Sequence, residues 1–264
     1  MEELAKIEEI LGVRLREYKS GEPKENTYTV RRGGIEALHL HGVRIERVEA
    51  LLPYLRDLRD LYIRHSRVSH LAELLKIPTL SLEIDTVQFD HEAFEPALLQ
   101  GYALAHSARD VSIINSSVDA AALAAIERLR YLSLKKCRVR NLGALCACEG
   151  LWQLNVQDMR LSAEQSRTLT AAREREKRGF TFTLQNCRVE DGDFFLPFAN
   201  SVASLRLYHC RLEELDFLRR MPALTHLCID AGTTIQQTAP LSGLPRRQKK
   251  QSITLDFTGN WRAV

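Results

Sequence analysis

An apolar pattern recurs along most of the chain and constrains its fold more than any other feature. The sequence reads LRYLSLKKCRV at Leu129, LWQLNVQDMRL at Leu151 and VASLRLYHCRL at Val202. With the first residue of each copy numbered as position 0, apolar side chains recur at positions 3, 5 and 10, and position 8 is small or sulfur-containing in several copies. Ten copies can be aligned in this way. They start at Ile35, Leu58, Thr79, Ala108, Leu129, Leu151, Gly179, Val202, Leu224 and Ser252.

The spacing of the copies supports this alignment independently of the apolar residues. Successive starts lie 23, 21, 29, 21, 22, 28, 23, 22 and 28 residues apart, so two short intervals and one long interval alternate three times. The three groups span 73, 71 and 73 residues. One alignment error would break this regularity, which indicates duplication of an ancestral group of three repeats.

Each copy predicts one short strand. Side chains alternate across a strand, so positions 3 and 5 point to the same side. A single repeat cannot bury its own apolar side, but stacked repeats bury a continuous core beneath a parallel sheet. The additional residues of the long repeats predict helices over 162–178, with a capping box formed by Ser162 and Gln165, and over about 92–105.

The pattern L-x-x-L-x-L-x-x-C-x-L resembles the leucine-rich repeat superfamily over about residues 35–262. The resemblance implies an α/β fold, a right-handed solenoid bent into an arc of about ten repeats. It places the parallel sheet on the concave face, and helices and irregular loops on the convex face. The asparagine usual at position 8 occurs only at Asn260, and Cys137, Cys187 and Cys210 replace it in three repeats. We expect less regular turns where position 8 cannot donate a hydrogen bond, at Val43, Val87 and Met159.

The repeats divide the chain into a predicted cap, residues 1–34, and a repeat domain, residues 35–264. Apolar residues at helical spacing predict a helix over residues 2–11 that ends at Gly12. The segment TYTVRR predicts a strand that enters the sheet ahead of the first repeat. No capping helix follows the tenth copy, so we expect either Trp261 to fold over that end or the end to meet another chain or a further domain.

Composition predicts a cytoplasmic protein. Of the 264 residues, 45% are hydrophobic and 27% charged, as in ordinary folded domains. The first residues, MEELAKIEEILG, lack the basic and apolar regions of a signal peptide, and no apolar run reaches membrane-spanning length. The six cysteines do not suggest a disulfide framework, which belongs to small secreted domains. We expect a bacterial, cytoplasmic protein with no membrane partner.

Residues that could bind a metal are few. Cys146 and Cys148 form a C-x-C without the second pair that a structural zinc site requires. Three histidines, His39, His41 and His65, fall on neighbouring predicted strands, and three imidazoles can hold zinc. We favour solvated histidines over a zinc site and predict no metal and no cofactor.

Positions 2, 4, 6 and 7 point away from the core and, with Trp152 alongside them at position 1, form the predicted concave face, here called the inner wall. Tyrosine, tryptophan and arginine dominate binding hot spots, and they group here at Tyr62–Arg64, Tyr131–Trp152 and Arg206–Tyr208. A flat polar face suits a protein better than a small molecule, although exposed residues that bind nothing specific remain the alternative. The predicted contact residues are Tyr62, Arg64, His65, Tyr131, Trp152, Gln153, Arg206, Tyr208 and His226.

The sequence favours a non-catalytic interaction module. It contains no G-x-x-x-x-G-K-[ST], H-E-x-x-H or G-x-S-x-G motif, so we predict no enzymatic activity. A scaffold, a sensor domain and an inhibitor all fit this hypothesis. The alternative is binding of nucleic acid or an anionic surface through the basic loop 246–250, which contains Arg246, Arg247, Lys249 and Lys250. The net charge of +3 alone is too small to favour nucleic acid.

Overall fold

The computed structural model describes residues 2–20, 25–93, 95–99, 108–167, 179–236 and 254–258. The chain divides into two compact units, Met1–Leu129 and Arg130–Val264. In each unit, successive repeats contribute one strand to a main sheet and a shorter strand to a second, narrower sheet. The loop 246–250 lies outside the described residues.

The first unit contains the predicted cap and the first four repeats. Its helices and strands, in chain order, are α1 (Glu2–Leu11), β1 (Arg16–Glu17), β2 (Thr27–Arg31), β3 (Gly34–His41), β4 (Arg44–Ile45), β5 (Asp60–Arg64), β6 (Arg67–His70), α2 (Leu71–Leu75), β7 (Ser81–Asp85), β8 (Gln88–His91), β9 (Asp110–Ile114), β10 (Ser117–Asp119) and α3 (Ala120–Ala124). Short 3₁₀ helices cover Leu52–Tyr54 and Pro96–Leu99.

The main sheet of the first unit follows the repeat order. Strands β3, β5, β7 and β9 are parallel and in register, so that Leu61 pairs with Leu38 on one side and Leu82 on the other. The predicted entering strand is β2, and it pairs antiparallel with β3 through Thr27 and His39. Strands β4, β6 and β8 form the narrower parallel sheet. The cap therefore covers the first repeat with strands β1 and β2, which are parallel to each other and antiparallel to β3, β5, β7 and β9.

Helix α1 confirms the predicted start of the cap. Ile7 and Leu11 on its apolar side are buried. The helix ends where Gly12 takes a φ of 67°, and the Gly12 N–H donates to the Glu8 carbonyl at 2.9 Å. This left-handed residue after the last turn is the common way to end a helix, and glycine adopts it without a steric penalty.

The second unit contains the remaining repeats. Its helices and strands are β11 (Tyr131–Lys135), β12 (Arg138–Arg140), β13 (Gln153–Gln157), β14 (Arg160–Leu161), α4 (Ala163–Ser166), β15 (Phe180–Gln185), β16 (Arg188–Val189), β17 (Val202–Tyr208), β18 (Arg211–Leu212), β19 (His226–Asp230), β20 (Thr234–Ile235) and β21 (Thr254–Thr258). Further 3₁₀ helices cover Leu142–Ala147, Gly192–Phe198 and Asp216–Arg220.

Strands β11, β13, β15, β17, β19 and β21 form the parallel main sheet of the second unit. Strands β14, β16, β18 and β20 form the narrower sheet, also parallel. Each main strand falls at the repeat that predicted it, so the predicted stacking of repeats with one parallel strand each is confirmed within each unit. The handedness and curvature of the arc, and the division into residues 1–34 and 35–264, stay predictions.

The predicted core positions are confirmed. From the first to the ninth repeat, every side chain at positions 3 and 5 is 3% exposed or less. In the second unit, phenylalanines from two outer connections extend this core, and the rings of Phe195 and Phe217 stack at 4.0 Å between centroids. Each fully buried side chain of this size stabilises the fold by about 1.5–3 kcal/mol. Burial of both positions explains why isolated repeats do not occur.

The turn that ends each main strand is regular, contrary to expectation. In the first eight repeats, position 7 adopts a left-handed conformation with φ between 48° and 67°. These residues are Gly42, His65, Thr86, Asn115, Lys136, Asp158, Asn186 and His209. The turns before Val43, Val87 and Met159 share this geometry, so the prediction of less regular turns there was wrong. The reason is that backbone bonds hold the turn: the Gly42 N–H donates to the Arg64 carbonyl at 3.1 Å, and the Thr86 N–H to the Ile114 carbonyl at 2.9 Å.

Side chains at position 8 add bonds between neighbouring repeats. Ser66 Oγ accepts from the Val43 N–H at 3.1 Å and donates to the Arg64 carbonyl at 2.7 Å. Cys187 and Cys210 each donate from Sγ to two carbonyl oxygens, one of them in the preceding repeat, at 3.3–3.4 Å. Serine and cysteine at position 8 therefore link neighbouring repeats through their side chains.

Two repeats differ from the predicted alignment by one residue. In the seventh, Phe180 rather than Gly179 pairs with Val202 and occupies position 0, and the register shifts after it. In the ninth, Thr233 rather than Gly232 occupies position 8, because its Oγ1 accepts from the Cys210 N–H at 3.1 Å. A fixed count of eleven positions cannot accommodate a one-residue deletion or insertion.

The outer connections contain less helix than predicted. Ser162 and Gln165 form the expected capping box, with the Ser162 N–H bonded to Gln165 Oε1 at 2.9 Å. Helix α4 nevertheless ends at Ser166, because Arg167 is extended with ψ at 145°. The prediction of one helix over 162–178 was wrong at this point, and residues 168–178 lie outside the described residues. Of the helix predicted over about 92–105, the structure describes only the 3₁₀ helix Pro96–Leu99.

We expect the buried thiols to react slowly in the native state. Burial raises the pKa of Cys187 to about 11 and that of Cys210 to about 12. At pH 8 the thiolate, which is the reactive form, is then about a thousandth of the Cys187 population or less. Ellman's reagent should therefore modify the folded protein much more slowly than the protein in urea, and peptide mapping should show both residues protected. Rapid native modification of Cys187 and Cys210 would show that they are not buried between repeats.

Candidate functional site

On the inner wall of the first unit, Tyr62 is held by a stacked histidine. The rings of Tyr62 on β5 and His39 on β3 lie 4.3 Å apart and 8° from parallel. His39 is only 6% exposed, and Tyr18 lies beside it at 6.4 Å between ring centroids. Burial raises the pKa of Tyr62. The Tyr62 ring is therefore fixed before any partner arrives, and one of its faces is used within the fold.

Arg64 and His65 lie at the end of the same strand. The Arg64 guanidinium donates to Glu83 Oε1 at 2.7 Å, and this hydrogen bond raises the pKa of Arg64. Both side chains reach solvent, so water screens the pair and it contributes little to stability. His65 is the left-handed residue of the turn, with its ring 5.0 Å from that of His41. The three predicted contact residues of this unit are thus neighbours on one short segment.

The histidines do not gather into a zinc site. His39 is stacked on Tyr62, whereas His41 lies beside His65. Among the described residues, no three histidine, cysteine or acidic side chains are placed to hold a metal ion. In the same part of the chain, no helix has the length and apolar character needed to cross a membrane.

In the second unit, Tyr131 and Gln153 belong to one hydrogen-bonded network. They are register partners on β11 and β13. Gln153 Nε2 donates to Asn155 Oδ1 at 3.0 Å, and Asn155 Nδ2 donates to the Tyr131 hydroxyl at 2.7 Å. The network fixes three half-buried polar side chains. It forms a rigid, neutral, polar patch.

Trp152 is the most exposed large apolar side chain of the described residues. Its side chain is 63% exposed, and the Arg130 guanidinium lies 5.1 Å from the centre of its ring. Such a cation–π contact at an exposed site contributes about 0.5–1 kcal/mol. The sequence grouped Trp152 with Tyr131, but its contact is with Arg130, which the sequence analysis missed. Both occupy position 1 of adjacent repeats, so their equal position was the available signal.

The third predicted group lies on β17 and β19. Arg206 is exposed and is the register partner of Cys228. Cys228 Sγ donates to the Tyr208 hydroxyl at 3.8 Å, and burial raises the pKa of Tyr208. His226 is half-buried, and its register partners are Ser204 on β17 and Thr254 on β21. Of this group, only Arg206 is exposed, whereas Tyr208 and His226 are half-buried.

A carboxylate closes the turn beneath this group. Asp230 Oδ1 accepts from the His209 N–H at 2.9 Å and from Thr233 Oγ1 at 2.7 Å, while Oδ2 lies 3.0 Å from His209 Nδ1. Burial alone would raise the pKa of Asp230, but these hydrogen bonds outweigh it and the pKa is lowered. In the preceding repeats a backbone carbonyl accepts the corresponding N–H. Asp230 therefore replaces a main-chain acceptor.

Two clefts among the described residues are polar. One, of about 420 Å³, is lined by Arg31, Arg32, Glu36, Asp57 and Arg59. Within it Glu36 accepts from Arg31 at 2.8 Å and lies 3.5 Å from Arg59. The other, of about 350 Å³, lies along the turns that follow β3, β5 and β7. Neither is the mostly apolar cavity that a small organic ligand prefers.

Comparison with known proteins relates this chain to others through its fold alone. No protein-family model and no curated protein matches the sequence. Among solved structures, internalin C2 from Listeria monocytogenes str. 4b F2365 is similar, with 17% identity, a TM-score of 0.43, and coverage of 85% of this chain and 81% of that one. Internalin F from the same strain has 16% identity and a TM-score of 0.38, covering 84% and 66%. Similarity this distant carries no argument about function.

Removal of the Asp230 carboxylate should destabilise the second unit. Asp230→Ala leaves the His209 N–H without its acceptor, and we expect a loss of about 1–3 kcal/mol in the free energy of unfolding at pH 7. Because the folded-state pKa is lowered, the carboxylate stabilises the fold above the ordinary carboxyl range of about 3.9 and ceases to do so as pH falls through the lowered value. Urea titrations at pH 7 and at pH 3 should show the difference between wild type and variant shrinking at low pH.

The matched control is Asp216→Ala. Asp216 is exposed and lies 4.0 Å from Arg219, so its removal should change stability little at either pH. Equal losses for the two variants would contradict the role assigned to Asp230.

Proposed function

We propose that this chain is a non-catalytic, cytoplasmic interaction module that holds a partner protein on its inner wall. The observation that carries the proposal is Trp152, a large apolar ring left 63% exposed and held in place by Arg130. The exposed ring of a tryptophan presents apolar surface to water, and burial of that surface by a partner is favourable in free energy. Tryptophan, tyrosine and arginine are also the residues that contribute most at protein interfaces.

The prior ordering of these side chains supports the proposal. Tyr62 is stacked on His39, and Tyr131 is bonded to Asn155. Binding loses less free energy when interface side chains are already immobilised, since each flexible one costs about 0.5–1.5 kcal/mol to order. Each unit thus offers aromatic groups that a partner can contact without rearranging them.

The chemistry around these groups also fits a protein partner. On β13 and β15 the outward side chains are neutral amides and hydroxyls, among them Gln157, Thr183 and Gln185. Hydrogen-bonding groups of this kind surround the apolar centre of a typical interface. A strand surface of this type offers breadth rather than a cavity, and a partner protein can cover it.

Replacement of the exposed groups should weaken partner binding without unfolding the protein. We expect Trp152→Ala and Arg206→Ala each to weaken binding by more than about 1 kcal/mol. The first variant loses apolar contact area with the partner, and the second loses a charge-assisted hydrogen bond. The partner is first captured with wild-type protein from the native host and identified by mass spectrometry. Calorimetry with the purified partner then compares the dissociation constants of the variants.

The matched control is Leu196→Ala, which removes another exposed apolar side chain, 39% exposed, on the outer 3₁₀ helix Gly192–Phe198. It should bind as wild type does. Unchanged binding by both wall variants would refute the proposal. Tyr62→Ala needs a parallel stability measurement, because it uncovers the buried ring of His39 and is expected to lower stability as well as binding.

The alternative, anion binding by the loop 246–250, stays a prediction because that loop lies outside the described residues. Salt dependence separates the two. Phosphate contacts weaken steeply with rising salt, whereas an interface centred on Trp152 should weaken little.

A further inference from the structure

Arginine recurs at a position that the proposed function does not use. Position 9 follows the buried residue of the turn and begins each strand of the narrower sheets. It is arginine in six of the nine repeats that the turns define: Arg44, Arg67, Arg138, Arg160, Arg188 and Arg211. Apolar side chains at position 10 explain the neighbouring burial, but nothing in the packing of the repeats requires arginine at position 9.

In the second unit, three of these arginines form a continuous row. Arg160, Arg188 and Arg211 are register partners on β14, β16 and β18, and Thr234 on β20 ends the row. Neighbouring strands lie about 4.8 Å apart, so the three side chains leave the sheet at that interval. Positions 8 and 10 on either side are buried, and all three arginines are exposed. We call these three residues the arginine row.

The row is not neutralised within the described part of the chain. In the first unit, the two arginines at position 9 have acidic partners: Arg44 pairs with Glu46 at 3.0 Å, and Arg67 pairs with Asp90. No described side chain forms an ion pair with Arg160, Arg188 or Arg211, although Glu190 and Glu213 follow two of them by two residues. Three adjacent cations outnumber these two carboxylates and repel one another, and a polyanion reduces that repulsion.

We propose that the arginine row binds the sugar–phosphate backbone of double-stranded nucleic acid without sequence preference. The planar guanidinium matches a phosphate through two parallel hydrogen bonds, which the ammonium of lysine cannot make. Single-stranded nucleic acid is usually held by aromatic side chains on which bases stack. At positions 9 and 11 of the described repeats in the second unit there is no aromatic residue. The row therefore offers contacts to backbone phosphates alone, which a duplex presents with its bases enclosed.

The net charge of the whole chain does not reveal this local concentration of positive charge. Acidic residues elsewhere reduce the total to +3, and the overall charge gave no indication of nucleic-acid binding. Local charge is what matters here, because salt screens interactions beyond about 8–10 Å. A duplex backbone in contact with the row lies within that distance of all three guanidinium groups, and Glu190 and Glu213 beside the row leave the local charge positive.

The test is fluorescence anisotropy with the full chain and a labelled 20-base-pair DNA duplex of arbitrary sequence at 50–200 mM salt. Each phosphate contact on duplex DNA contributes about −0.9 to the slope of log K against log salt. We expect a slope of about −2.7 for wild type. The variant R160Q/R188Q/R211Q should bind at least tenfold more weakly at 50 mM salt, with a slope close to zero, and Arg188→Glu alone should show a reduced slope.

The control R56Q/R109Q/R128Q removes the same charge from exposed arginines outside the row and should retain the wild-type slope. Circular dichroism checks that each variant is folded, and Arg188→Glu serves if the triple variant is not. Protein-partner binding should survive in the row variant, which separates this inference from the proposed function.

Several results would overturn the inference. One is equal affinity and equal salt slope for the row variant and wild type, and another is a failure of wild type to bind the duplex at 50 mM salt. A poly-glutamate peptide, a heparin fragment or a single strand would bind more tightly than the duplex, which would identify another class of polyanion. Loss of binding in R246Q/R247Q/K249Q/K250Q but not in the row variant would assign it to the loop 246–250.

Discussion

The turn that ends each main strand is the constraint on which the rest of the structure depends. There the N–H of position 7 donates to the carbonyl of position 6 in the next repeat, as in His65 to Asp85 at 3.0 Å and Asn186 to Tyr208 at 2.9 Å. The left-handed conformation aims that N–H sideways, and it recurs even at Thr86, where a β-branched side chain makes it costly. A buried N–H left without a partner costs about 1–3 kcal/mol, enough to offset the strain.

The ninth repeat shows that this hydrogen bond is needed even when the turn changes. An inserted residue moves the chain, and Ala231 stays outside the left-handed region. The His209 N–H would then face no carbonyl, and Asp230 Oδ1 accepts it at 2.9 Å instead. The same carboxylate binds Thr233, which restores the position-8 contact to the Cys210 N–H. A side chain thus performs the function of the main chain at the one described turn where the backbone geometry differs.

The sequence predicted the strands and the core because both follow from alternation and stacking. It did not predict one-residue changes, such as Phe180 at position 0 or Thr233 at position 8, since a fixed motif length assigns the wrong residues after each change. The available signal was the apolar Phe180 and the hydroxyl of Thr233, each one residue later in the sequence than the motif predicts. The predicted helix over 162–178 depended on charge and capping, and neither reports that Arg167 is extended.

The candidate site was predictable only in part, for a related reason. Equal motif positions identify register partners, such as Tyr131 and Gln153, and so place side chains on the wall. Contacts across repeats depend on rotamers and on residues outside the chosen positions. Equal motif positions make Tyr62 a neighbour of His39 and Trp152 a neighbour of Arg130, but they do not predict that the two rings stack or that the guanidinium lies over the indole. The sequence therefore predicts which residue type lies on which face of the sheet, whereas it does not predict the geometry of the contacts between side chains.

The same turn also separates two surfaces within the second unit. Arg206 lies on β17, before the turn, and belongs to the inner wall, whereas Arg211 begins β18 immediately after it and belongs to the arginine row. The left-handed residue His209 lies in the turn between the two strands, and the next residue, Cys210, is buried. Two arginines five residues apart can therefore serve different partners. Because the first eight repeats turn at the same motif position, a substitution at one motif position adds to a surface that already extends across neighbouring repeats, and a row of like charges forms from independent single changes.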